Sequence, residues 1–114
     1  MKKIVTALFC GAALAASGSV VAGNAAAGKE KAKACAACHG ADGSNPIADN
    51  PKLAGQQADY IVKALQGYKS GTRKNPIMAP MGSNLSQRDM EDLAAYFSSQ
   101  QGLTTFKSCV RRQA

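Results

Sequence analysis

The sequence runs to 114 residues and sets 14 Lys and Arg against 7 Asp and Glu, a formal charge of +7. That length holds one small domain rather than several. With three Tyr, three Phe and no Trp, the chain lacks the stacking aromatics and the recognition-helix pattern of a nucleic-acid binder, and its basic balance is moderate.

Lys2 and Lys3 open the chain, an apolar run follows from Ile4 to Ala16, and small residues lead to Val20-Val21-Ala22. A basic start, a short apolar stretch and a small-residue cleavage site are the parts of a Sec-type signal peptide. The run is too short, and too interrupted by Ser17, Gly18 and Ser19, to span a bilayer comfortably. The reading is a signal over residues 1–22, a folded domain over 23–103 and a basic tail over 104–114, with the mature protein exported to the periplasm. Cys10 lies within the apolar run and leaves with the signal.

Ala25 to Cys38 predicts the first helix, since Ala, Lys and Glu all favour it. Gly28 costs about 1 kcal/mol there against Ala. It either lets another helix approach closely or is a surface glycine near a helix start. The helix leads into Cys35-Ala36-Ala37-Cys38-His39, the attachment signature of a c-type haem. Cysteines at i and i+3 of one helical turn face the same way, so two thiols can add to the two vinyl groups of one porphyrin edge. His39 follows at once, and a neutral imidazole is the usual first axial ligand of haem iron. It is the one histidine in the chain. A structural zinc site would need about four Cys or His ligands in spaced pairs, and the remaining cysteines are the distant Cys10 and Cys109. A thioredoxin-like dithiol would need strands alternating with helices, and no strand pattern surrounds the motif.

Gly40 to Leu53 is rich in turn formers, among them Gly43, Asn45, Pro46, Asn50 and Pro51. It reads as a loop inside the domain. Pro51 has no N–H, yet its carbonyl can accept from the free ring N–H of His39, which would fix the imidazole's tautomer and orientation. Gln57 to Ser70 predicts a second helix. Tyr60, Ile61, Ala64, Leu65 and Tyr68 fall on one side, Asp59, Lys63, Gln66 and Lys69 on the other, and Gly71 closes it. Tyr60 and Tyr68 read as core residues, with a hydroxyl aimed at a haem propionate as the sharper alternative.

Thr72 to Leu85 reads as a second irregular loop, because it holds Pro76, Pro80 and Gly82. It presents Met78 and Met81. A thioether opposite histidine favours reduced iron and raises the potential, although methionine is more often packing material. Ser86 to Gln101 predicts the last helix, capped by Ser86 with Asp89 three residues on, and with Met90, Leu93, Ala94 and Phe97 as its apolar stripe. The tail carries Cys109, a third mature cysteine, read either as a free thiol or as the link of a disulfide dimer.

Taken together, Cys35-Ala-Ala-Cys-His39, Pro51-Lys-Leu-Ala-Gly55, Ile77-Met78, Leu85-Ser86 and Leu93-Ala-Ala-Tyr96-Phe97 resemble the class I cytochromes c. The likeness is to small bacterial cytochromes of the c-553 type and to single halves of the two-haem periplasmic cytochromes, over residues 24–101. It implies an all-α fold, three main helices and two loops wrapped around one covalent haem c. By this resemblance Cys35 and Cys38 match the thioether cysteines and His39 the proximal ligand. Pro51 matches the supporting carbonyl, and Met78 the distal ligand by its distance before Leu85-Ser86, with Met81 as the fallback. Gly28 and Tyr96 match the pair where the first and last helices cross. The tail with Cys109 departs from the family pattern.

The function expected from these parts is a one-electron carrier in a bacterial redox chain, and not an enzyme, because no general acid, base or nucleophile stands in a recognisable arrangement. Two alternatives remain open at this level: a haem subunit of a larger oxidoreductase, and a gas-binding or peroxidatic protein with an open sixth site. Expected partners are redox proteins with acidic docking surfaces facing Lys29, Lys31, Lys33, Lys69, Arg73 and Lys74. Loose association with a membrane surface is a further expectation.

Overall fold

A computed structural model of the protein describes residues 23–45 and 47–102. The expected signal peptide, and the tail with Cys109, lie outside the described residues. Within them the regular structure is helical: α1 (Ala25–Lys31), a 3₁₀ turn (Ala32–Ala34), α2 (Ala36–His39), α3 (Ala58–Ser70), α4 (Met78–Ser83) and α5 (Gln87–Ser99).

Asn24 starts α1 by accepting the N–H groups of Ala26 and Ala27 at 2.9 and 3.1 Å. The predicted single helix from Ala25 to Cys38 is broken in the middle. Ala32 is buried at the core, and the chain tightens there into a 3₁₀ turn whose Cys35 N–H reaches Ala32 O at 2.9 Å. The tighter turn changes the helical phase, so the cysteine motif on α2 does not continue the buried face of α1. Nothing in the local Ala and Lys composition marks this break.

α5 is the central element. Ser86 Oγ accepts from Asp89 N–H at 3.1 Å while Asp89 Oδ2 accepts from Ser86 N–H at 2.9 Å, a reciprocal cap. Met90, Leu93, Ala94, Tyr96 and Phe97 are buried along one side. α1 crosses this helix at Gly28, where a Cβ would lie 1.9 Å from Asp92 O and 2.8 Å from Tyr96 Cβ. Only a residue without a side chain lets the two backbones meet so closely. Ions lock the same crossing: Lys31 Nζ reaches Asp89 Oδ1 at 2.8 Å and Asp92 Oδ2 at 2.6 Å, Asp92 Oδ1 accepts the Asn24 N–H at 2.8 Å, and Arg88 Nε lies 3.2 Å from Asp92 Oδ1.

α3 packs on α5 through Ile61 and Val62, with Leu65 half-buried beside them. Tyr60 is not a core residue: it is 48% exposed. The Arg73 guanidinium lies 5.9 Å from its ring centre and 5.2 Å from that of Tyr68, and Arg73 Nε donates to Tyr68 Oη at 2.9 Å. These rings therefore pack against a cation, and α3 turns Val62 inward in place of Tyr60. Gly71 ends α3 at φ 81°.

The second loop is not wholly irregular, since α4 forms within it. Asn75 and Pro76 supply a start, an acceptor side chain followed by a residue with no N–H to leave unpaired. Gly82 lets α4 rest on α3, where a Cβ would meet Tyr68 Cβ at 3.1 Å and Leu65 O at 3.3 Å.

Candidate functional site

Cys35 sits between the 3₁₀ turn and α2, and Cys38 and His39 complete that helix. The turn is closed by Cys38 N–H and His39 N–H on Cys35 O at 3.2 and 2.9 Å. Both cysteines are free thiols, Cys35 half-buried and Cys38 exposed. Burial pushes the Cys35 thiol up from its ordinary value, and Cys38 adds to the shift. A dithiol that exchanges disulfides needs the opposite, a stabilised thiolate. Among the described residues, no group of three or more His, Cys, Asp or Glu side chains is placed to hold a metal ion by itself.

His39 is buried, and its Nδ1 lies 2.9 Å from Pro51 O. A carbonyl can only accept, so Nδ1 carries a proton, and in the neutral ring the lone pair is on Nε2. Nε2 has no hydrogen-bond partner among the described residues. The imidazole is thus oriented by one nitrogen and offers the other as a donor to a metal.

The loop after α2 is fastened to this turn at several points. Asn45 N–H donates to His39 O at 3.1 Å, Asn45 Nδ2 to Cys38 O at 2.6 Å, and Asn50 Nδ2 to the same oxygen at 2.8 Å. Asn45 is only 6% exposed, and its Oδ1 accepts the Ile47 N–H at 3.1 Å. Gly43 O accepts from Leu53 and Ala54, and Gly55 N–H donates to Phe97 O at 2.9 Å. The Tyr96 hydroxyl donates to Ala41 O at 2.9 Å. Tyr96 therefore serves twice, at the α1–α5 crossing and as the tie from α5 to the loop behind His39.

Sequence reading treats Asn45 and Asn50 as turn formers and Tyr96 as a packing residue, and it assigns none of these bonds. Two asparagines inside a loop leaving a ligand motif are the signal that was available. The structure brings Cys35, Cys38, His39 and Pro51 together on one side, and Gly28 against Tyr96 at the crossing. Met78 and Met81 lie on α4, which packs on α3; Met78 is half-buried and Met81 is 41% exposed. Both lie within one short helix, not in the irregular loop expected there.

The family described as Cytochrome c matches residues 25–101. Cytochrome c-554(548) of Halomonas halodenitrificans is 45% identical over 83 residues, a match covering 70% of this chain and 100% of that protein. The chain belongs to the cytochrome c family. Another cytochrome c, cytochrome c4 of Pseudomonas aeruginosa, is 51% identical over 79 residues, 69% of this chain and 39% of the relative. The chain thus spans well under half the length of that relative. Against the crystal structure of reduced recombinant cytochrome c4 from Pseudomonas stutzeri the TM-score is 0.68 at 47% identity, covering 72% of this chain and 48% of the other. The fold is that of a class I cytochrome c.

Membership in the cytochrome c family implies a covalently bound haem c, and the residues present fit one. Two free thiols three residues apart and an imidazole with Nδ1 already engaged form the required donor set.

Proposed function

We propose that this chain is a periplasmic one-electron carrier holding a single haem c. The observation that carries the reading is the bond from His39 Nδ1 to Pro51 O at 2.9 Å beside two free thiols. It leaves Nε2 as the ring's remaining donor and sets its direction. Cys35 and Cys38 would form the thioether bonds, His39 the first axial bond and Met78 the second, with Met81 the alternative donor on α4. Bound haem c supplies iron that passes single electrons between its ferric and ferrous forms. The chain's own part is to orient the imidazole, keep its tautomer, and close off the iron from substrates and small gases. A carrier with both axial positions filled has no place for a substrate, which supports a non-enzymatic role.

The docking surface is narrower than the count of lysines implies. Lys31 is engaged with Asp89 and Asp92, and Lys33 with Glu30. Of the expected cations, Lys29, Lys69, Arg73 and Lys74 form no ion pair among the described residues, nor do Lys52 and Lys63. They are the better candidates to meet an acidic redox partner.

Mass spectrometry of the exported protein tests the assignment of the thiols. The expected product starts at Gly23 and carries one haem that survives denaturation, and the Cys35→Ala, Cys38→Ala double variant carries none. Haem retained covalently by the double variant would contradict the reading.

A further inference from the structure

Ahead of α4 the chain holds a side chain with a specific pair of partners. Asn75 Oδ1 accepts the N–H groups of Ile77 and Met78, both at 2.9 Å. The main-chain oxygen of the same residue accepts from Ala79 N–H at 2.9 Å. Pro76, between them, presets φ and brings no N–H that would go unpaired. One asparagine thus closes the turn from both its side chain and its backbone, and one of the groups it holds is the amide of Met78 itself.

The two ends of α4 are supported differently. At the far end Gly82 is buried against Tyr68 and Leu65, and Lys69 Nζ donates to Leu85 O. At the near end residues 71–77 are all exposed. Met78 itself is half-buried, and the hydrogen bonds that close its turn on the near side come from Asn75.

We infer that Asn75 is the positioning residue of the distal ligand, holding the Met78 turn closed so that the thioether stays on the iron. The inference rests on the reading of Met78 as that ligand. An added ligand such as imidazole reaches ferric iron only in the fraction of molecules whose Met78 turn has opened, so its apparent affinity scales with that fraction. Loss of a typical side-chain cap raises the open fraction about fivefold, and Ser caps nearly as well as Asn.

The test is imidazole titration of the ferric haem-loaded protein, followed through the sulfur-to-iron absorption band. Asn75→Ala is expected to lose the band at about fivefold lower imidazole than wild type, and Asn75→Ser to stay within about twofold of it. Asn24→Ala removes the same kind of cap from α1; it is expected to lower thermal stability to a similar extent and leave imidazole affinity unchanged. Wild-type affinity in Asn75→Ala, or an equal change in Asn24→Ala, overturns the inference. Met78→Ala, run alongside, is expected to lack the band from the start. If it keeps the band, Met78 is not the ligand and both readings fall; if only Asn75→Ala fails, Met78 stands and the cap alone is withdrawn.

Discussion

Single residues decide how closely the helices approach and how the imidazole is held. Gly28 shows the first effect, since the Asp92 carbonyl occupies the space a methyl group would need. Gly71 is a contrasting case: a Cβ there would meet nothing within 4 Å, but φ is +81°. Gly28→Ala is expected to destabilise the protein by about 3 kcal/mol, at the upper end for forced overpacking. Gly71→Ala should cost about 1 kcal/mol, the strain of a left-handed conformation alone. Urea denaturation of the two variants checks this, and equal costs would contradict the close crossing. The sequence marks Gly28 as awkward in a helix but cannot tell a surface glycine from a crossing, because its partner Asp92 lies 64 positions away.

At the scale of elements, the α1–α5 junction is electrostatic as well as steric. Lys31 first and Ser86 next hold the Asp89 carboxyl well below the usual range. The Asn24 N–H, followed by Lys31, lowers Asp92, and the same two carboxylates raise Lys31. Carboxylates depressed on folding stabilise fully above their unfolded value of about 3.9, and that stability is lost as pH falls below it. A lysine raised on folding stabilises fully below about 10.4, and loses this as pH rises further. The network is therefore complete between about pH 5 and 9 and fades at both ends. The difference in urea midpoint between wild type and Lys31→Met is expected to hold steady across that range and to shrink towards about pH 3. A difference as large at pH 3 as at pH 7 would contradict the network. Elements differed in how far they could be read beforehand. α5 was legible because its cap and its apolar stripe are local. α4 was hidden by Pro80 and Gly82, which signal irregular chain, although Asn75-Pro76 is a helix-start signal in its own right. The 3₁₀ break has no local mark in the Ala and Lys sequence; it begins where Ala32 is buried in the core.

Across the whole molecule, charge is divided in a way that a total of +7 cannot express. Lys31, Lys33 and Arg88 are paired with carboxylates of α1 and α5, whereas Lys29, Lys52 and the cations of α3 and its following turn have no ion-pair partner among the described residues. The donor set of the thiol turn is legible, since five adjacent residues encode it, although the break that leads into it is not. The turn's fastening by Asn45, Asn50 and Tyr96 was not legible, because those bonds join positions that only the folded loop brings together. The assignment of Met78 over Met81 came from resemblance rather than from chemistry, as both are thioethers on one short helix. The optical spectrum of the ferric haem-loaded protein tests that assignment, and the carrier reading with it, most directly. The sulfur-to-iron band is expected in wild type and in Met81→Ala and is expected to vanish in Met78→Ala. A wild-type spectrum that is high-spin and lacks the band would mean an open sixth site, and would contradict the reading of this cytochrome c as an electron carrier with both axial positions filled.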